Sequence, residues 1–153
     1  MPSVSAVELV AAGVTLLAAL AAGTTAHELA HALAYRLLSV PCTVTFLPDR
    51  TDPPAAGGLG RLATVRPTGR LDRLSPWRLR VAAVAPLCLV APFVLVPLGA
   101  AADPFALGNP AVAAAAVGWA ACSLPSPQDF ALVWYPEEAL ARGRDRGAGT
   151  PRS

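Results

Sequence analysis

The feature that most limits how this chain can fold is the length of its uncharged apolar runs. From Ala6 to Leu38 only Glu8, Glu28, Arg36 and two histidines interrupt the apolar and small residues. Val81 to Ala102 carry no charge at all, and Pro110 to Leu124 are again uncharged before a proline-containing break and a continuation to Tyr135. A helix that crosses the hydrocarbon core of a bilayer needs about 20 apolar residues. The three runs are therefore read as three transmembrane helices, over about 6–38, 81–102 and 110–135. The first is too long for a signal peptide, lacks a basic start, and carries its polar groups late.

Composition points the same way. Hydrophobic residues make up 54% of the 153 residues and charged residues 14%, against about 25% charged in a typical soluble domain. Mean hydropathy is +0.50. So few charges argue against a soluble enzyme or a disordered chain, and a net charge of +2 gives no footprint for nucleic acid. Cys42, Cys88 and Cys122 are odd in number and scattered, which fits neither a disulfide framework nor a thiolate zinc site. They are read as small apolar fillers.

All twelve basic residues are arginines, and their placement sets an orientation. Eight fall from Arg36 to Arg80 and four from Arg142 to Arg152, while the residues before Ala6 and the segment from Asp103 to Asn109 have none. The excess of positive charge on cytoplasmic segments places the 36–80 loop and the C-terminus in the cytoplasm and the N-terminus outside. Three spans demand termini on opposite sides, so count and charge agree. The expected architecture is an all-α, multi-pass cell-membrane protein: one domain over residues 1–141, then a disordered tail over 142–153. Within the cytoplasmic loop, Thr43–Phe46 alternate polar with apolar and Arg61–Val65 form a second strand candidate. The Pro/Gly/Asp-rich stretch between them suits a hairpin turn or an irregular loop.

The chemistry sits in His27-Glu28-Leu29-Ala30-His31, which contains the only two histidines. On a helix, positions i and i+4 project from one face about 6 Å apart at Cβ, a spacing that suits two neutral imidazoles on one Zn²⁺. Glu28, on the flank of that face, can reach a metal-bound water as general base without displacing it. Three ionisable groups in an apolar helix are costly unless paired or coordinated. The competing reading leaves His27, Glu28 and His31 solvated at the headgroups.

Two histidines leave a zinc site one protein ligand short. Asp129, the one acidic residue between Asp103 and Glu137, is the candidate. With a rise of about 1.5 Å per residue, His27 lies ~31 Å along the first span and Asp129 ~27 Å along the third, so both arrive at similar depth. Ser126-Pro127-Gln128-Asp129 also reads as a helix start, with Ser126 as N-cap and Asp129 in capping-box position. The two roles are compatible. Asp103 is on the wrong side, and Glu137 and Glu138 read as solvated helix-face charges.

HELAH within a first long span, a cytoplasmic loop with strand-like pieces and an acidic residue near the end of a third span resemble the core of the site-2 protease family. The likeness is closest to the small zincin-type membrane peptidases, in which a Ser-x-x-Asp segment follows the HExxH helix. Ser126–Asp129 match that spacing, and Ala85-Pro86-Leu87 has a similar flavour. The resemblance covers roughly residues 6–135. It implies one zinc per chain held by His27, His31 and Asp129, with Glu28 as the base of a peptidase acting on a membrane or membrane-proximal peptide. The chain departs from the larger members in carrying Leu-Pro-Ser-Pro-Gln-Asp-Phe where they have Asn-Pro and Leu-Asp-Gly around the third ligand. It also has neither a PDZ-like domain nor further spans, which implies a separate membrane partner for regulation. Two rivals stand beside this expectation: a non-catalytic membrane scaffold with a vestigial metal site or none, and a plain transport or structural helix bundle.

Overall fold

A computed structural model describes residues 5–46, 63–68, 74–93 and 109–141. These are mostly helical, with one two-stranded antiparallel sheet. In chain order the elements are α1 (Ala6–Leu37), β1 (Cys42–Phe46), β2 (Ala63–Pro67), α2 (Pro76–Val84), a 3-10 stretch (Ala85–Val90), α3 (Pro110–Ser123) and α4 (Pro127–Trp134). A short helix over residues 136–141 follows.

Two helices among the described residues are long and apolar enough to cross a membrane. They are Ala6–Leu37, with mean hydropathy 2.0, and Pro76–Phe93, with mean hydropathy 1.2. The second therefore begins five residues before the expected Val81 and is described to Phe93; residues 94–102 lie outside the described residues. The expected run over 110–135 is two helices of 14 and 8 residues with a break at Leu124–Ser126. Pro125 and Pro127 enforce that break, because each lacks an N–H and proline disfavours the α conformation in the residue before it.

The ends of α1 are explained by its sequence. Ser5 and Glu8 form a capping box: the Ser5 N–H donates to Glu8 Oε2 at 2.8 Å, and the Glu8 N–H to Ser5 Oγ at 3.3 Å. At the other end Ser39 adopts φ 56°. There Val40 N–H bonds to Tyr35 O at 2.8 Å and Ser39 N–H to Arg36 O at 3.0 Å. That is a Schellman motif with a serine in the left-handed position usually held by glycine.

The chain packs as two compact units. The first is drawn from Met1–His27 and Pro86–Leu124. Here α1 and α3 touch through small residues. A Cβ added to Gly23 would lie 2.8 Å from Cys122 Cβ, and one added to Gly118 would meet Leu16 and Ala19 at 3.1 and 3.2 Å. Thr15 Oγ1 donates to Ala111 O at 3.1 Å, and Trp119 Nε1 to Leu89 O at 3.0 Å. The second unit is drawn from Glu28–Ala85 and Pro125–Ser153. Its core is Tyr35, Val40, Leu79, Ala82 and Leu140, with Cys42, Val65 and Leu74 packed against it. In it α2 packs on α4.

The hairpin forms with Val44 opposite Val65, and Thr68 N–H to Pro41 O at 2.7 Å closes its open end. Cys42 and Val44 are half-buried while Thr43 and Thr45 are exposed, the alternation expected for β1. The second strand is Ala63–Pro67, two residues later than expected. Arg61, Leu62, the turn-like stretch from Pro48 to Gly60 and the tail over 142–153 lie outside the described residues.

Candidate metal centre

His27 and His31 sit one turn apart on α1, and each ring is held by a main-chain carbonyl. His27 Nδ1 lies 2.8 Å from Cys122 O, and His31 Nδ1 lies 2.7 Å from Ala82 O. A carbonyl can only accept, so Nδ1 carries a proton in both rings and Nε2 is the atom left to serve as a ligand. Metal-binding histidines are oriented in this way.

Proline explains why those two carbonyls have room for an imidazole. Within an α-helix the Ala82 carbonyl would accept from the N–H four residues on, which is Pro86 and has none. The helix tightens to a 3-10 bond from Ala85 N–H, and a carbonyl's second lone pair takes His31. Cys122 lies in the last turn of α3, three residues before Pro125 and four before Ser126, whose N–H is drawn away to Asp129.

Asp129 divides its carboxylate. Oδ2 accepts from Ser126 N–H at 2.7 Å while Ser126 Oγ accepts from Asp129 N–H at 3.2 Å, which completes the expected capping box. Oδ1 lies 3.2 Å from His31 Nε2. Both residues are buried, at 7% exposure each. One ligand atom from each of His27, His31 and Asp129 lies within 4.8 Å of the others. Two ligands at ~2.0–2.1 Å from a tetrahedral metal are about 3.3 Å apart, close to the distance between His31 and Asp129. The three residues form a group able to hold a metal ion.

Glu28 is outside this ligand group. Its Oε2 accepts from the Val65 N–H of β2 at 3.1 Å. Because that N–H is spent on Glu28 rather than on β1, the Val44–Val65 pair is of the non-hydrogen-bonded kind, and Val65 presents its amide on the outer edge of β2. Cys42 and Cys122 are half-buried and Cys88 is exposed. Glu137 and Glu138 are exposed, and Glu137 Oε1 is 3.6 Å from Arg80 Nη2. Asp103 lies outside the described residues.

Sequence reasoning brought together the three candidate ligands but missed what holds them. The carbonyls of Ala82 and Cys122 had a signal in Pro86, which removes the α-helical donor four residues on, and in Pro125, which removes the 3-10 donor three residues on. No protein-family model, curated protein or solved structure matches the chain.

Proposed function

We propose that this chain is a membrane-embedded zinc endopeptidase of the site-2 protease type, hydrolysing a peptide bond in a membrane or membrane-proximal substrate. The observation that carries the reading is the convergence of two carbonyl-held imidazoles, one half-buried and one buried, with the buried Asp129 carboxylate. Two nitrogens and one carboxylate oxygen suit zinc better than magnesium or calcium. His27 and His31 would hold it through Nε2 and Asp129 through Oδ1. A bound zinc supplies Lewis acidity, bringing the pKa of a water toward about 7 and polarising the scissile carbonyl. Glu28 takes a proton from the attacking water and returns it to the departing amine.

The membrane reading is supported by α1, whose most apolar window is only 6% buried. Val7, Leu9, Val10, Val14 and Leu17 are all more than 60% exposed, a surface that water disfavours and lipid accepts. Exposed Trp77, Trp134 and Tyr135 are of the kind enriched at headgroup level. We read three spans, with the arginine-rich 36–80 segment and the C-terminus cytoplasmic.

The substrate binds extended and adds as a strand to the outer edge of β2. Val65 N–H is on that edge and is taken by Glu28 in the free protein, so a docking strand competes for the amide and frees the carboxylate.

The test is zinc content and cleavage of quenched transmembrane-segment peptides by protein purified in detergent. The proposal expects about one zinc per chain, kept in Glu28→Gln while cleavage is lost. A second reading, a non-catalytic membrane scaffold, draws on the capping box, which accounts for half of Asp129 without a metal. It expects no stoichiometric zinc, or zinc with cleavage indifferent to Glu28→Gln.

A further inference from the structure

We infer that Gly23, the main-chain carbonyl of Cys122 and Pro125 together orient His27, with Cys122 acting through its backbone and not its thiol. This rests on the metal reading above and adds positioning residues to it.

Gly23 lies one turn before His27 on the same face of α1. A Cβ there would lie 2.8 Å from Cys122 Cβ and 2.9 Å from its Sγ, well inside the roughly 3.5–4.0 Å at which carbon atoms pack. The missing side chain is therefore what lets α1 meet α3 at this level. One turn further on, the carbonyl of the same Cys122 meets the His27 ring at 2.8 Å. Gly118, one turn before Cys122, makes the matching approach to Leu16 and Ala19. The contact is thus fixed at two successive turns, and His27 is placed at its end.

That carbonyl is open because the chain after it offers no competing donor. Pro125 has no N–H, and Ser126 N–H is committed to Asp129 Oδ2. One short segment does both jobs: Ser126 holds Asp129 by its N–H, and the same diversion leaves Cys122 O to His27. The thiol makes only side contacts, Sγ to Leu20 O at 3.6 Å and a hydrogen bond with Thr24, and neither reaches His27. With Nδ1–H held, the ring keeps the tautomer and direction that put the Nε2 lone pair to use.

The experiment measures zinc affinity of the full-length chain in detergent by chelator competition, for wild type, Gly23→Ala, Cys122→Ala, Pro125→Ala and the double variant Gly23→Ala/Cys122→Gly. Losing an orienting partner of a metal-bound histidine typically costs 10–100-fold in affinity. Gly23→Ala is expected to weaken zinc binding by about that factor, and Cys122→Ala to leave it near wild type. The double variant, which removes the side chain the new methyl would strike, should recover most of the loss. Pro125→Ala, which restores a donor without any new bulk, should weaken binding in the same direction. Unchanged affinity in Gly23→Ala overturns the inference. So does a loss in Cys122→Ala as large as that in Gly23→Ala, or a double variant that recovers nothing. If the wild type binds no zinc, the metal reading itself falls. The positioning claim is then decided by ¹⁵N shifts of His27: a clean Nδ1–H tautomer in wild type that turns mixed in Gly23→Ala supports it, and the same tautomer in both overturns it.

Discussion

The two histidines of the HELAH turn make the same bond in different surroundings. Each gives Nδ1–H to a carbonyl left open where a proline interrupts the helix, at 2.8 Å for His27 and 2.7 Å for His31. His31 is buried at 7% exposure, and its acceptor Ala82 is at 0% and belongs to the Tyr35–Leu79–Leu140 core. His27 is half-buried, and its acceptor is the open end of α3, reached through a contact of small residues. One ring is held by a packed core, the other by a single close approach of two backbones. The difference teaches that equivalent candidate ligands can differ in what their loss would do to the protein.

The largest effect is expected at the buried ring. His31→Ala removes a candidate ligand and the buried ring that lies 3.2 Å from the Asp129 carboxylate. Zinc binding should fall below detection, and leaving the buried Ala82 carbonyl without its 2.7 Å partner typically costs about 1–3 kcal/mol on top of the void, so thermal unfolding in detergent should shift down strongly. His27→Ala should lose zinc as completely with a smaller change in unfolding temperature. Equal destabilisation by the two would break the comparison.

A second pair of variants separates the two duties of Asp129. Asp129→Asn keeps a side-chain oxygen for Ser126 N–H but gives up the anionic oxygen that faces His31. Zinc affinity should drop at least about tenfold while the helix start is retained. Ser126→Ala should do the reverse, costing about 1 kcal/mol in stability for a lost N-cap with zinc kept. Were Asp129→Asn to bind zinc as wild type does, Asp129 would be a cap alone.

The proline devices can be compared directly. Pro86→Ala returns an N–H four residues after Ala82, which should compete with His31 for the carbonyl and straighten the 3-10 stretch. Because His31 is also fixed by burial, the loss of zinc affinity should be less than in Pro125→Ala, within about tenfold. A larger loss in Pro86→Ala would mean that packing contributes little to holding the buried ring.

How much of this was legible depended on range. The HExxH spacing, the Ser126–Asp129 capping box and the strand alternation of Thr43–Phe46 are local patterns, and the structure forms the capping box and the strand. The second strand sits two residues late because register is set by pairing and by Val65 joining the core, which no local alternation encodes. Cys122 read as an apolar filler because its contribution is a carbonyl, and backbone acceptors have no letter in the sequence. Gly23 and Gly118 stand four residues from His27 and Cys122, a spacing whose meaning appears only when the two helices meet.

The smallest effect is expected at the end of α1, on the His31 side. Ser39 holds φ 56° so that Val40 can turn back and bond Tyr35, and both of those side chains lie in the core beneath His31's acceptor. A left-handed conformation costs a non-glycine residue roughly 1 kcal/mol, which glycine largely avoids. Ser39→Gly should therefore raise stability by somewhat less than about 1 kcal/mol, because the unfolded chain also gains freedom. Zinc affinity should not change, since the core already fixes Ala82 O at His31. A rise in affinity together with stability would mean that the buried ring retains slack, and the contrast with His27 would then be one of degree.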